Sequence, residues 1–451
     1  MRDAIATALL RRNILARVEI PQQEIVDGTV RFEIIQGRIE GVVVEGDPGP
    51  ARGLIEKTLA PLAKAEFIDL DVAQRYILLA SDIPGVSLSM LLAPGTSRGG
   101  LVLRAVAARK AITAQTVVQN LNSISQGRVV SVARVDFNSL TPWGDRTTVV
   151  AAVSGDLVEQ RVYQVMHEAR LTASGLVARG SVALGLGAPG GDIAPLELRT
   201  RSLISTIELT YPLTRHRRRN LSIGGGLELA DQRTRVFRNL LFSDERARVA
   251  YLRLSGDLSS RFGEMPAYLA SSVELRRGMS ILSASDRGSA LLTRAEADPE
   301  AFVLRGTFNG SITPVPVFTL AVAGQAQYAD RPLVSYEQFA IGNLTIGRGY
   351  DPNAFPADRG AAFSVELQSR PFDLADRFQI APFAFTDVAH VVALGFGGGE
   401  RTLTSIGGGM RFTLLSLISG NVTYARPLNA LTAGGRRPTD RVLFTLAARF
   451  R

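Results

Sequence analysis

From about residue 115 to the C-terminus, the chain is built of segments of about ten residues in which apolar and polar side chains alternate. In "RVYQVMHEARLT" (161–172), Tyr163, Val165, Ala169 and Leu171 share one face, and Gln164, Glu168 and Arg170 the other. In "RVAYLRLSGDL" (248–258), Ala250, Leu252, Leu254 and Leu258 oppose Arg253, Ser255 and Asp257. "VFTLAVAGQAQY" (317–328) sets Phe318, Leu320, Val322 and Tyr328 against Thr319, Gln325 and Gln327. "RVLFTLAARFR" (441–451) sets Val442, Phe444, Leu446, Ala448 and Phe450 against Thr445, Arg449 and Arg451. A period of two is the period of a β-strand with two unlike faces. Strands of this length, tilted about 40°, cross an apolar band of about 25 Å. No uncharged apolar run of 18 residues is present, so a membrane span by helix is excluded. A closed barrel is the other way to satisfy every backbone group in lipid.

Sixteen such segments start near 115, 128, 147, 161, 175, 200, 220, 246, 265, 301, 316, 361, 377, 403, 418 and 441. An even count lets the last strand pair antiparallel with the first. A soluble sandwich would have strands nearer six residues, and no propeller repeat of about 45 residues appears. If the N-terminal region lies in the periplasm, odd-to-even connections lie outside the cell. Residues 330–360 then form the sixth outer loop, and "TYPLTRHRRRN" (210–220) contains an inner turn.

Residues 38–108 have another rhythm. "RIEGVVVEGD" (38–47) is a strand; 51–64 and 69–81 carry helical apolar stripes; 86–92 and 100–108 alternate as strands. The order is strand, helix, helix, strand, strand. The N-terminal "MRDAIATALLRRNILARV" has no apolar core with a small-residue cleavage site, so it is not a secretory signal.

Little in the chain carries chemistry. With no cysteine, disulfides and thiolate sites are excluded, and the three histidines, His167, His216 and His390, share no ligand spacing. The glycine triplets 224–226, 397–399 and 407–409 do not open a helix followed by Lys, as a phosphate loop requires. In barrel strands, glycines more often mark bends or bulges. The net charge of +9 is almost all arginine, the lysines being Lys57, Lys64 and Lys110. No basic stripe interleaves with aromatics, so no nucleic-acid partner is expected. "RHRRR" (215–219) reads as a solvated turn. No enzyme activity and no cofactor are expected.

Several motifs resemble the transporters of two-partner secretion, the hemolysin-secretion and filamentous-hemagglutinin-secretion family. They are "VEIPQQEIVDGTVRFEIIQGRIEGV" (18–42), "DIPGVSLSMLLAPG" (82–95), "YPL" with the basic turn after it (211–219), "IGRGYDPNAFPADRG" (346–360) and "PFAFTDVAHV" (382–391). The family combines polypeptide-transport-associated (POTRA) domains with a sixteen-stranded barrel. The resemblance therefore implies a mainly β fold: a 16-stranded antiparallel transmembrane β-barrel after a small α/β POTRA domain. It divides the chain into a remnant of a first POTRA domain (1–36: last helix and hairpin), a POTRA domain (37–109) and the barrel (110–451). It also implies that a signal peptide, a plug helix and the rest of the first POTRA domain are missing, so a truncated or mis-started frame is expected.

The resemblance also implies a site. Arg348, Gly349, Tyr350, Asp358 and Gly360 form the loop-six anchor motif; Phe383, Phe385, Asp387 and Glu366 form its partner on the barrel wall. Phe383, Phe385 and Asp387 fall on one face of the thirteenth strand, and a carboxylate facing lipid is costly, so Asp387 faces the lumen. Arg348 would pair with it, with Glu366 as a second partner. Gly349 would allow a tight turn, and Tyr350 would pack on the wall. Gly347 stands where the family usually has Val, which would loosen the backbone. The implied function is nucleotide-independent export of a large unfolded hemolysin- or adhesin-like partner polypeptide from a Gram-negative outer membrane, with membrane lipid around the barrel and the POTRA region in the periplasm. Strand 86–92, or the cleft by helix 69–81, would capture the cargo. Alternatives are an insertase or other translocator of the same superfamily, or a passive porin with an N-terminal binding module.

Overall fold

The computed structural model describes residues 1–415, 417–432 and 435–450. Helix α1 (Arg2–Arg11) leads into a two-stranded sheet of β1 (Ala16–Glu19) and β2 (Glu33–Gln36). A three-stranded sheet follows, from β3 (Arg38–Asp47), β4 (Val86–Pro94) and β5 (Gly100–Arg109), in the order β3-β5-β4. Between β3 and β4 lie α2 (Arg52–Ala63) and α3 (Leu70–Ser81). Asp69 caps α3, accepting from the backbone N–H of Asp71 and Val72. One face of the sheet and the apolar stripes of both helices close over a core that includes Ile39, Val44, Ile55, Leu59, Ile83, Leu103 and Ala105. The strand–helix–helix–strand–strand order is the one the periodicity predicts.

Then the barrel begins. Its strands are β6 (Ile112–Gln119), β7 (Val130–Asn138), β8 (Arg146–Ser154), β9 (Gln160–Arg170), β10 (Val177–Gly187), β11 (Arg199–Arg215), β12 (Arg219–Val236) and β13 (Leu240–Phe262). Next come β14 (Met265–Gly278), β15 (Phe302–Val315), β16 (Phe318–Ala329), β17 (Arg359–Ser369), β18 (Phe372–Ala375), β19 (Phe378–Ala393), β20 (Gly399–Leu414), β21 (Ile418–Pro427) and β22 (Arg441–Phe450). β17 and β18 follow one another along the same neighbour, β19, and make one stave, so the closed barrel has sixteen staves. It closes where β22 pairs antiparallel with β6, from Thr445 opposite Gln119 to Phe450 opposite Ala114.

The expected strand starts agree with the observed ones to within a few residues. The largest difference is β13, which starts at Leu240 instead of 246. With β11 and β12 it reaches 17–23 residues, longer than a membrane requires. The extra length includes charged residues that pair across strands: Arg233 on β12 bonds Asp244 on β13 at 2.7 Å. The alternation sorts faces as expected. Leu252 and Leu254 point outward and are about half exposed, while Arg253 between them pairs with Glu208 and Glu274 inside the lumen.

Three glycine features have another cause than bends. Gly407 and Gly409 on β20 lie opposite Phe385 and Phe383 on β19. A Cβ on either would stand 2.7–2.8 Å from the facing phenyl ring. Gly226 likewise lies under the ring of Tyr251. These glycines are the flat floor on which inward aromatic rings lie across the strands.

The N-terminal module sits against the inner rim. Asp82, after α3, receives two hydrogen bonds from Arg215, at 2.7 and 2.8 Å, and its carbonyl accepts from Arg170. Arg75 donates to the carbonyls of Pro212 and Leu213, and Gln74 bonds His216. The basic turn 215–219 is therefore not simply solvated: Arg215 and His216 hold α3 in place. Its five residues gave no period to reveal this, because the partner lies more than 130 positions away.

Candidate functional site

Residues 330–358 join the eleventh and twelfth staves, β16 and β17, and turn back into the barrel. At the loop's tip, Arg348 meets Asp387 on β19. Its backbone N–H donates to the carboxylate at 2.8 Å, and its Nε and Nη2 donate at 3.1 and 2.7 Å. Nη1 donates to Glu366 on β17 at 2.5 Å, and Nη2 to Ser364 at 2.9 Å. Asp387 is 1% exposed and also accepts from Ser364 and Ser405. Arg411 on β20 shares Glu366. Two cations thus face two carboxylates, with hydroxyls filling the remaining lone pairs, which is what a buried ion cluster needs to persist.

The aromatic residues of β19 serve as platforms. The Arg348 guanidinium carbon lies 3.4 Å from the centroid of Phe385, and that of Arg411 lies 4.3 Å from Phe383. A guanidinium flat on a ring gains a cation–π attraction while its edge keeps its hydrogen bonds. Strand alternation puts Phe383, Phe385 and Asp387 on one row, so a single strand supplies platform and acceptor together.

Tyr350 is buried at 1% exposure, and its hydroxyl bonds the backbone of Thr404 and Asn429. Gly349 acts by proximity to the wall instead of by turning. It is not among the residues with positive φ, but a Cβ there would lie 2.8 Å from Pro427 N and Ser405 Cβ. Gly347 is the turn residue. Its φ of +115° favours glycine, and its carbonyl accepts from Tyr350 N at 2.9 Å. The glycine does not loosen the motif, because the backbone there requires it.

Asp358 and Gly360 belong to a different cluster. Asp358, 0% exposed, receives Arg294 at 2.6 and 3.1 Å, and the backbone N–H groups of Leu333 and Leu394. Arg294 comes from the outer loop between β14 and β15, so Asp358 ties three outer loops together. Gly360 makes room for the ring of Phe339, which a Cβ would approach to 2.7 Å. The sequence-predicted set is therefore divided: Arg348, Gly349, Tyr350, Glu366, Phe383, Phe385 and Asp387 meet at the tip, and Asp358 and Gly360 sit at the base. Sequence reasoning missed Ser364, Ser405 and Arg411. All three fall on inward rows, a signal that was available once the faces were assigned. Arg294 carried none, since it lies in an irregular loop.

The histidines are scattered. His167 and His390 point outward, bonded to Thr147 and Thr402, and His216 faces Gln74. Among the described residues, no group of three His, Cys, Asp or Glu is placed to hold a metal.

The family model for the haemolysin secretion/activation protein ShlB/FhaC/HecB matches residues 187–412, half of the chain, including the whole of loop six and its partner strand. The chain belongs to that family. It is an outer-membrane β-barrel, and the Arg348–Asp387 pair lies within the matched span. Among curated relatives, the heme/hemopexin transporter protein HuxB of Haemophilus influenzae strain KW20 Rd is 21% identical over 382 residues, covering 79% of this chain and 62% of HuxB. HuxB of strain 86-028NP is 21% identical over 456 residues, covering 92% of this chain and 74% of HuxB. The chain thus spans about three-fifths of the length of the first of these relatives. Among solved structures, CdiB from Escherichia coli superposes with a TM-score of 0.82 at 16% identity, over 100% of this chain and 83% of CdiB. CdiB from Acinetobacter baumannii gives 0.71 at 15% identity, over 100% of this chain and 81% of that one. BamA from Haemophilus ducreyi lacking POTRA domains 1–3 gives 0.58 at 13%, over 100% and 92%. At such identities these likenesses establish the fold.

Proposed function

We propose that the protein passes an unfolded partner polypeptide through its lumen to the cell surface, with loop six as the removable constriction. The observation that carries this reading is the anchor itself. A loop that could lie outside is folded into the barrel and held by Arg348 on Asp387 and Glu366. A passive porin would leave that internal ion cluster and the docked N-terminal module without a role.

Residues 37–109 act as the POTRA domain, with the helix and hairpin of 1–36 in front of it. Among the described residues β4 pairs with β5 alone, so its outer edge has backbone groups free for an added strand. Leu91 and Leu92 on it are about half exposed, and α3 packs beside it. An extended segment of cargo would pair along this edge, gaining main-chain hydrogen bonds without a fixed sequence. Export then proceeds as the tip of loop six leaves Asp387, and folding of the cargo outside gives direction. Lipid surrounds the outward rows.

The test is secretion. Cells making the protein together with a candidate large secreted partner polypeptide are expected to release that polypeptide. Cells carrying Arg348→Ala or Asp387→Ala retain it while the barrel stays folded. Equal release from cells lacking the protein, or normal release from both variants, would overturn the assignment.

A further inference from the structure

Loop six makes two sets of contacts, and they fall on different parts of the wall. Tip contacts reach the twelfth stave onward: Arg348 to β17 and β19, Tyr350 to β20 and the segment after β21, and Asp351 to Arg441 on β22. Base contacts reach the ninth to eleventh staves and the neighbouring outer loops. There Glu337, 5% exposed, receives Arg276 of β14 at 2.9 and 2.7 Å and Arg305 of β15 at 3.2 Å. Its carbonyl accepts from Arg305 and from Gln327 of β16, both at 3.0 Å. Arg276 is itself 3% exposed and bonds Glu228 and Glu274 as well.

The two limbs of the loop are joined above this point. Phe339 and Ala357 exchange backbone hydrogen bonds, and Asp358 is tied to Arg294 of the outer loop between β14 and β15. Between that bridge and Arg348 lie Gly342 and Gly347, with φ of +132° and +115°. These are residues able to absorb a change of backbone direction.

We infer that Glu337 is a second anchor of loop six, a fixed pivot on Arg276 and Arg305 about which the tip swings when Arg348 releases Asp387. The burial supports the order of release. The Arg276 side chain is 3% exposed and pairs with Glu228, Glu274 and Glu337, so it backs the more exposed Arg305, at 30%; Arg348, at 20%, is the cation that water reaches at the tip. Transport then widens the lumen beside β17 to β22 while the base keeps its place under β14 to β16. This inference rests on the reading that loop six moves during export.

The experiment uses the cysteine-free full chain. Spin labels are placed at Leu344→Cys for the tip or Ser335→Cys for the base, each paired with Glu264→Cys in an exposed inner turn. Distances are measured by pulsed electron resonance on the purified barrel without cargo. In Arg348→Ala, the tip distribution is expected to broaden at least two-fold while the base distribution keeps its width. Adding Glu337→Ala broadens the base as well. If that double variant does not assemble, Glu337→Gln, which keeps the shape and removes the charge, is scored in the same way. A base that broadens with the tip in Arg348→Ala, or one that stays narrow after loss of the Glu337 carboxylate, overturns the pivot. Secretion is scored separately, so failure of the pivot and failure of the export reading are distinguishable.

Discussion

Arg348 holds Asp387 twice over, with its backbone N–H and with its guanidinium, so the loop's main chain and side chain are fixed by a single carboxylate. A side-chain pair alone would leave the backbone free to rotate. Here the carboxylate sets both, and the family motif becomes a geometric requirement.

Arg348→Ala leaves Asp387 buried without its cation. Removal of one partner from a buried pair costs about 3–5 kcal/mol locally. The barrel ladder does not depend on it, so the variant is expected to keep heat-modifiable migration on gels. Its pore, measured in planar bilayers, opens more often than that of the parent. Arg348→Lys keeps charge but loses the two-pronged bond, and falls between them. An Arg348→Ala pore as closed as the parent would show that the anchor does not hold the constriction.

Gly347→Val is expected to harm this protein. A β-branched residue at φ +115° is strained by about 1–3 kcal/mol. Proteolysis of loop six in the folded barrel should speed up several-fold. Gly349→Ala should do the same by a different route, since its Cβ meets Pro427 and Ser405. Cleavage at the parent's rate in both would contradict the packing.

Asp82→Ala should loosen the N-terminal module from the rim. The Asp82–Arg215 pair is partly exposed, at 37% and 24%, so its contribution is about 1 kcal/mol and falls with salt. Hydrogen exchange in α3 and in residues 212–219 is expected to rise in the variant, and in the parent at high salt. Exchange that ignores both changes would mean that the other contacts suffice.

The turn 95–99 should be pH-dependent. Glu40 accepts from the side chains and backbone N–H groups of Ser97 and Thr96, and these bonds hold its carboxyl at about 2, below the usual 4.5. A depressed carboxyl stabilises the folded form fully above its unfolded value. That stabilisation declines as pH falls from about 4.5 and is gone below about 2. Exchange of amides 96–100, corrected for intrinsic rate, should therefore rise on acidification through this window. Glu40→Gln should remove the dependence.

Local rules determined a good deal. The period of two marked the staves and sorted their faces, because lipid and lumen impose opposite polarity on alternate residues. That sorting placed Asp387 inside and gave loop six its number. The helical stripes of 51–64 and 69–81 likewise became α2 and α3. Other features depended on partners far away in sequence. Glycines 407 and 409 looked like bends until the register put phenyl rings over them. The basic turn looked solvated until α3 was docked on it. Asp358 looked like part of the tip, yet Arg294, 64 residues earlier, holds it at the base. Glu337 carried no motif at all. A strand's faces follow from its own residues, since lipid and water are the same for each stave. Which charge meets which follows from closure of the barrel, and only the tertiary structure decides that.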